Sequence, residues 1–167
     1  MDELFSLWLI PPKELTKKYT DIIIKLGNKH NAPVFSPHIT LLGNIKNKKT
    51  ILLKTSQMVQ IIKPFTIKLT NVSYLNEYYK CVFLLAKKSK ELINTNDIAK
   101  RIFYRENEEF IPHLSLMYGK YDEKTKKEIA AKLGTFNDSF TIDKIAVVTA
   151  GDIPKDWNIV KEFPLLG

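Results

Sequence analysis

A chain of 167 residues is one domain, or two small lobes sharing a core, and is too short for two ordinary domains. With 44% apolar and 26% charged residues it has the make-up of a packed globule rather than a disordered segment. A formal charge of +8 favours an anionic partner such as a nucleotide, RNA or DNA, although a solvated lysine-rich surface would read the same way.

Residues 4–10 are an aromatic and aliphatic run halted by Pro11-Pro12, which predicts a strand. Over 14–29, Leu15, Tyr19, Ile22, Ile23 and Leu26 recur at helical spacing, with Gly27 as a stop signal. His30 falls in the loop that follows and is expected to be solvent-exposed and uninvolved. A strand is predicted over 38–45, a second helix over 50–62 before Pro64, and an alternating strand from Phe65. Residues 78–85 read as its neighbouring strand and 91–104 as a third helix. An acidic loop at 106–109 leads into another strand, then a fourth helix over 122–133, with Asp122 as its cap and Gly134 as its stop. Strands over 140–149 and 157–163 finish the chain. The predicted class is α+β, with antiparallel sheets lining a cleft between two lobes and helices outside.

Cys81 is the only cysteine, so no internal disulfide forms, and its apolar neighbours predict a buried, inert thiol. No basic region precedes the first apolar run, and no apolar stretch nears the roughly 20 residues of a membrane span. A soluble, cytoplasmic, monomeric protein is expected.

One pattern occurs twice. Phe35-Ser36-Pro37-His38-Ile39-Thr40-Leu41-Leu42-Gly43 is echoed by Phe110-Ile111-Pro112-His113-Leu114-Ser115-Leu116-Met117-Tyr118-Gly119, and the two copies hold two of the three histidines in the chain. On a strand, residues i and i+2 share a face, so His38 projects with Thr40 and His113 with Ser115. A lone histidine on an amphipathic strand is more often structural than catalytic, but two matched copies reverse that weighting. Imidazole titrates near pH 6.5, so of a pair one can take a proton while the other gives one. Cleaving a cyclic phosphodiester with water needs that combination, and the hydroxyls of Thr40 and Ser115 can donate to the charged phosphate oxygens. Neither copy has an acidic residue or third donor at metal-ligand spacing, so no metal and no cofactor is expected.

At these residues the chain resembles the 2H phosphoesterases, which carry two His-x-(Thr/Ser) motifs on pseudo-symmetric lobes. It is most similar to the plant and fungal type of cyclic phosphodiesterase. Ser6-Leu7-Trp8-Leu9-Ile10-Pro11, Tyr79-Lys80-Cys81-Val82-Phe83-Leu84-Leu85, the second motif and the run from Phe140 all share in the likeness. The resemblance implies hydrolysis of nucleoside 2′,3′-cyclic phosphates or ADP-ribose 1″,2″-cyclic phosphate to a 2′-phosphate. It also implies His113 as base, His38 as acid, and Thr40 and Ser115 as phosphate-binding hydroxyls. Tyr118 matches a substrate-contacting tyrosine, although strand parity sets it opposite Ser115 unless the strand ends or bends first. Trp8 either lines the cleft or packs in the core, and Tyr79 is a weaker candidate for stacking on a base. Other 2H proteins cut 2′,5′-oligoadenylate or cyclic oligonucleotides, or process or bind RNA ends, so those substrates stay open.

Overall fold

The computed structural model describes residues 3–167. Eight strands form one curled antiparallel sheet: β1 (Leu4–Leu9), β2 (Ile39–Lys46), β3 (Phe65–Tyr74), β4 (Val82–Ala86), β5 (His113–Met117), β6 (Ser139–Ile142), β7 (Lys144–Thr149) and β8 (Ile159–Pro164). Their spatial order is β6-β3-β4-β5-β2-β1-β7-β8, which puts the two motif strands side by side at the centre. Four helices cover one face: α1 (Lys13–His30), α2 (Lys48–Met58), α3 (Lys90–Ile102) and α4 (Glu123–Leu133).

Strand parity sorts the two faces. Phe5, Leu7 and Leu9 of β1 enter the main core with Ile39, Leu41, Leu114 and Leu116, all nearly inaccessible to water. Leu4, Ser6 and Trp8 turn the other way and line a cleft. β7 divides likewise, with Ile145 and Val147 in the core while Ala146 and Val148 join Trp8 in a second small cluster.

Several boundaries differ from the sequence reading, each for a local reason. α1 runs through Gly27 to His30 and is capped by Asn31, which takes the left-handed conformation (φ 54°). Gly27 serves a close approach instead of a stop: a Cβ there would lie 3.0 Å from the Ala32 carbonyl oxygen and 3.1 Å from a Val34 methyl. His30 is therefore the last helical residue, half-buried, with Nε2 enclosed and unpartnered among the described residues. The predicted strand over 78–85 begins only at Val82, because Tyr78–Lys80 form a 3-10 turn. The run 140–149 is two strands broken at Asp143, β6 pairing with β3 at one edge and β7 with β1 in the opposite half. Asp122 does cap α4, its side chain accepting from the Thr125 amide at 2.9 Å, and Gly134 follows with φ 72°.

The centre of the sheet is thin. β2 and β5 share one paired position, Ile39 opposite Leu114. Helices brace the joint from outside: α1, which leads into β2, packs on β5, while α3, which leads into β5, packs on β2. Among the described residues no helix is long and apolar enough to cross a membrane.

Candidate active site

The pairing at the joint assembles the two motifs. Directly opposite residues of an antiparallel pair share a face. Carried one residue either way from Ile39 and Leu114, the register sets His38 against Ser115 and Thr40 against His113. All four line one cleft of about 380 Å³, together with Trp8, Tyr79, Lys80, Tyr118, Asp152 and Trp157.

Each imidazole is fixed the same way. His38 Nδ1 lies 2.7 Å from the Ser36 carbonyl oxygen, and His113 Nδ1 lies 2.6 Å from that of Ile111. A carbonyl only accepts, so both Nδ1 atoms carry hydrogen and both neutral rings present an unprotonated Nε2. The proline in each motif favours this arrangement, because the residue before a proline, Ser36 or Ile111, is biased toward extended backbone.

An aromatic ring on the neighbouring strand backs each histidine. Trp8 stands opposite Thr40 on β1 and stacks flat on His38, with centroids 3.5 Å apart and planes 3° apart. Phe83 stands opposite Ser115 on β4 and meets His113 edge-on at 5.1 Å. Burial lowers the pKa of His38 to about 3, against the Ser36 carbonyl, which raises it, and with a small further lowering from His113. His113, less enclosed, is also lowered, chiefly by burial and in part by the Lys80 charge, while the Ile111 carbonyl pulls the other way. Both rings are therefore neutral at neutral pH.

The two hydroxyls differ. Ser115 Oγ donates to the Tyr79 carbonyl oxygen at 2.9 Å, so its one proton is already committed. Among the described residues the Thr40 hydroxyl has no protein partner and is the readier donor to an anion.

Tyr118 reaches the cleft because β5 ends at Met117 and the chain turns through Gly119 (φ 143°). It is buried, stacks on Phe35 with centroids 3.8 Å apart, and burial raises its hydroxyl pKa. Trp8 both lines the cleft and is 4% exposed, so the two readings of it coincide. Tyr79 stands at the cleft wall, 44% exposed and edge-on to Tyr118 at 5.2 Å.

Sequence reasoning missed Trp157, Phe83 and Lys80. Trp157 sits where the predicted last strand was to begin, but it lies just before β8 with its Nε1 donating to the Gly151 carbonyl oxygen at 2.6 Å. Its ring meets Trp8 at 5.6 Å, His38 at 5.9 Å and Tyr118 at 6.0 Å. Nothing local marks it. Phe83 was findable, since a strand pairing with the second motif must set some residue against Ser115. Lys80 brings a positive charge to the cleft and pairs with Glu77.

Two His-x-(Thr/Ser) motifs on adjacent central strands of a curled antiparallel sheet define the class of the 2H phosphoesterases. Within that class, the model of the cyclic phosphodiesterase-like protein family matches residues 4–165, and the chain belongs to this family. It is similar to the cyclic phosphodiesterase of Arabidopsis thaliana, 24% identical over 152 residues, covering 87% of this chain and 84% of that one. In fold it is similar to TT0787 of Thermus thermophilus (TM-score 0.74, 15% identity, 98% of each chain). It is likewise similar to E. coli LigT in apo form (TM-score 0.68, 16% identity, 100% of each chain), a protein also solved with 3′-AMP, ATP and NADP+.

Proposed function

We propose that the protein hydrolyses the cyclic phosphodiester of a small nucleotide, a nucleoside 2′,3′-cyclic phosphate or ADP-ribose 1″,2″-cyclic phosphate, by two-histidine acid–base catalysis without a metal. The observation that carries this reading is the matched pair of imidazoles, each tied through Nδ1 and open at Nε2, facing one cleft. His113 Nε2 takes a proton from water as the water oxygen bonds to phosphorus. The bond from phosphorus to the 3′ oxygen breaks, and His38 gives that oxygen a proton, leaving a 2′-phosphate. His38 enters neutral, so the substrate's negative charge, held by Thr40 and Lys80, raises its pKa and loads the proton. Thr40, with Ser115 once it turns from the Tyr79 carbonyl, donates to the non-bridging oxygens. Tyr118 contacts the phosphate end, while Trp8, Tyr79 and Trp157 wall the space for the base. The whole is one monomeric, cytoplasmic domain of two lobes meeting at β2 and β5.

The test is incubation with 2′,3′-cyclic AMP in excess EDTA, followed by phosphorus NMR. Formation of 2′-AMP is expected; no turnover of this or any other cyclic or 2′-linked nucleotide overturns the proposal.

A second reading, cleavage of 2′,5′-oligoadenylate, a cyclic oligonucleotide or an RNA end, has its own support. A smaller cavity of about 140 Å³ adjoins His113, sharing Thr40, Gly43, Lys80 and His113 with the main cleft. A linear diester carries a nucleoside on each side of its phosphate and so has a group for each cavity, whereas a cyclic mononucleotide carries only one. Higher kcat/KM on 2′,5′-linked diadenylate than on 2′,3′-cyclic AMP would favour this reading.

A further inference from the structure

The turn Tyr78–Lys80 joins β3 to β4 and carries Tyr79 to the cleft. Two of its carbonyls tie it to the second motif: Tyr78 O accepts from the Gly119 amide at 3.0 Å, and Tyr79 O accepts from Ser115 Oγ at 2.9 Å. Two further backbone bonds close it, from the Leu75 amide to Lys80 O at 2.9 Å and from the Lys80 amide to Glu77 O at 3.2 Å. Behind it stands Lys126 of α4, 2% exposed. Its ammonium donates to Leu75 O at 3.1 Å and to Asn76 Oδ1, and lies 5.9 Å from the centre of the Tyr74 ring. The same charge acts on the Cys81 thiol just past the turn. Among the described residues no carboxylate pairs with Lys126. An ammonium taken from water without a counter-charge is costly, and a side chain needed only to fill space there would be apolar. The polar groups it does meet all belong to the flanks of the Tyr79 turn.

We infer that Lys126 is a positioning residue for the substrate site: from α4 it clamps the 74–81 segment, so that Tyr79 offers its ring to the nucleotide base. The role given to the base rests on the proposed function; the clamp does not.

Lys126→Met keeps the stem and removes the charge, while Lys126→Arg keeps the charge and the donors. Hydrogen exchange reads the clamp directly. In Lys126→Met the Gly119 amide, which donates to Tyr78 O, is expected to exchange about tenfold faster while the β3 and β4 amides keep their protection. Kinetics read the consequence. KM for 2′,3′-cyclic AMP is expected to rise about tenfold, roughly one base–aromatic contact, while KM for glycerol 1,2-cyclic phosphate, which has no base, stays put. Lys126→Arg should recover most of both effects. Should Lys126→Met fail to fold, Asn76→Ala removes one acceptor from an exposed loop and should move both readouts the same way, by less. Unchanged Gly119 exchange, equal loss on both substrates, or loss of protection throughout the sheet overturns the inference. A native protein that turns over no cyclic or 2′-linked nucleotide overturns the proposed function, and the exchange measurement still decides the clamp.

Discussion

The two histidines make their own predictions. Replacing His38 or His113 by Ala should each lower kcat by about 10²–10⁴-fold, the usual worth of a placed proton donor or acceptor. A diester leaving as 4-nitrophenolate needs no acid, so on it His38→Ala should keep most of its rate while His113→Ala stays impaired. The reverse pattern would exchange their roles. The proposed mechanism needs one proton on the pair, and in the free protein His38 holds one only at or below about pH 3 and His113 only below 6.5. The profile of kcat/KM against pH should therefore be a bell whose falling limb lies below pH 6.5. The limb of kcat should lie higher, because the bound phosphate favours the imidazolium. Stability moves with the same groups. His38 has a depressed folded pKa, so unfolding takes up a proton once pH falls below about 6.5, and Tm should decline from there toward pH 3, less so in His38→Ala. The quartet was legible in the sequence because it is written as a repeat with period-2 spacing. The asymmetry was not, since burial, the flat Trp8 stack and the Ser115 bond to the Tyr79 carbonyl depend on neighbours far along the chain.

At the scale of elements, the ends of strands do more than their middles. Strand parity points Tyr118 away from Ser115, and only the end of β5 at Met117 and the turn at Gly119 bring it into the cleft. A Cβ on Gly119 would sit 2.4 Å from Tyr121 Cε2, at a φ that L-residues rarely adopt. Gly119→Ala should thus destabilise by about 1–3 kcal/mol in urea melts and raise KM by displacing Tyr118. An unchanged melting midpoint would show that the turn tolerates a side chain. Helix existence was readable from apolar spacing, and the Asp122 cap from residue type. The break at Asp143 was not, because both flanks are good strand sequence and only the sheet shows that they pair in different halves.

At the scale of the molecule, one half of the sheet (β3 to β6) is a continuous segment set inside the other half, which is built from β1, β2, β7 and β8. The single β2–β5 pairing alone would let the halves open independently, but α1 and α3 each pack on the opposite half's motif strand. One cooperative transition is expected. Tryptophan fluorescence, from Trp8 and Trp157 in the interrupted half, and far-ultraviolet circular dichroism should share one urea midpoint. Two separated midpoints would show halves that unfold apart. The sequence pointed to two facing units but carried no signal that one is threaded through the other, since that depends on where β7 pairs. The threading bears on synthesis as well. As the polypeptide leaves the ribosome, β1 lacks one neighbour until β7 emerges, and the wall formed by Trp157 arrives later still. A nascent chain can therefore display both histidine motifs long before it has a closed pocket, and catalytic competence should appear as one step that waits for Trp157 to emerge.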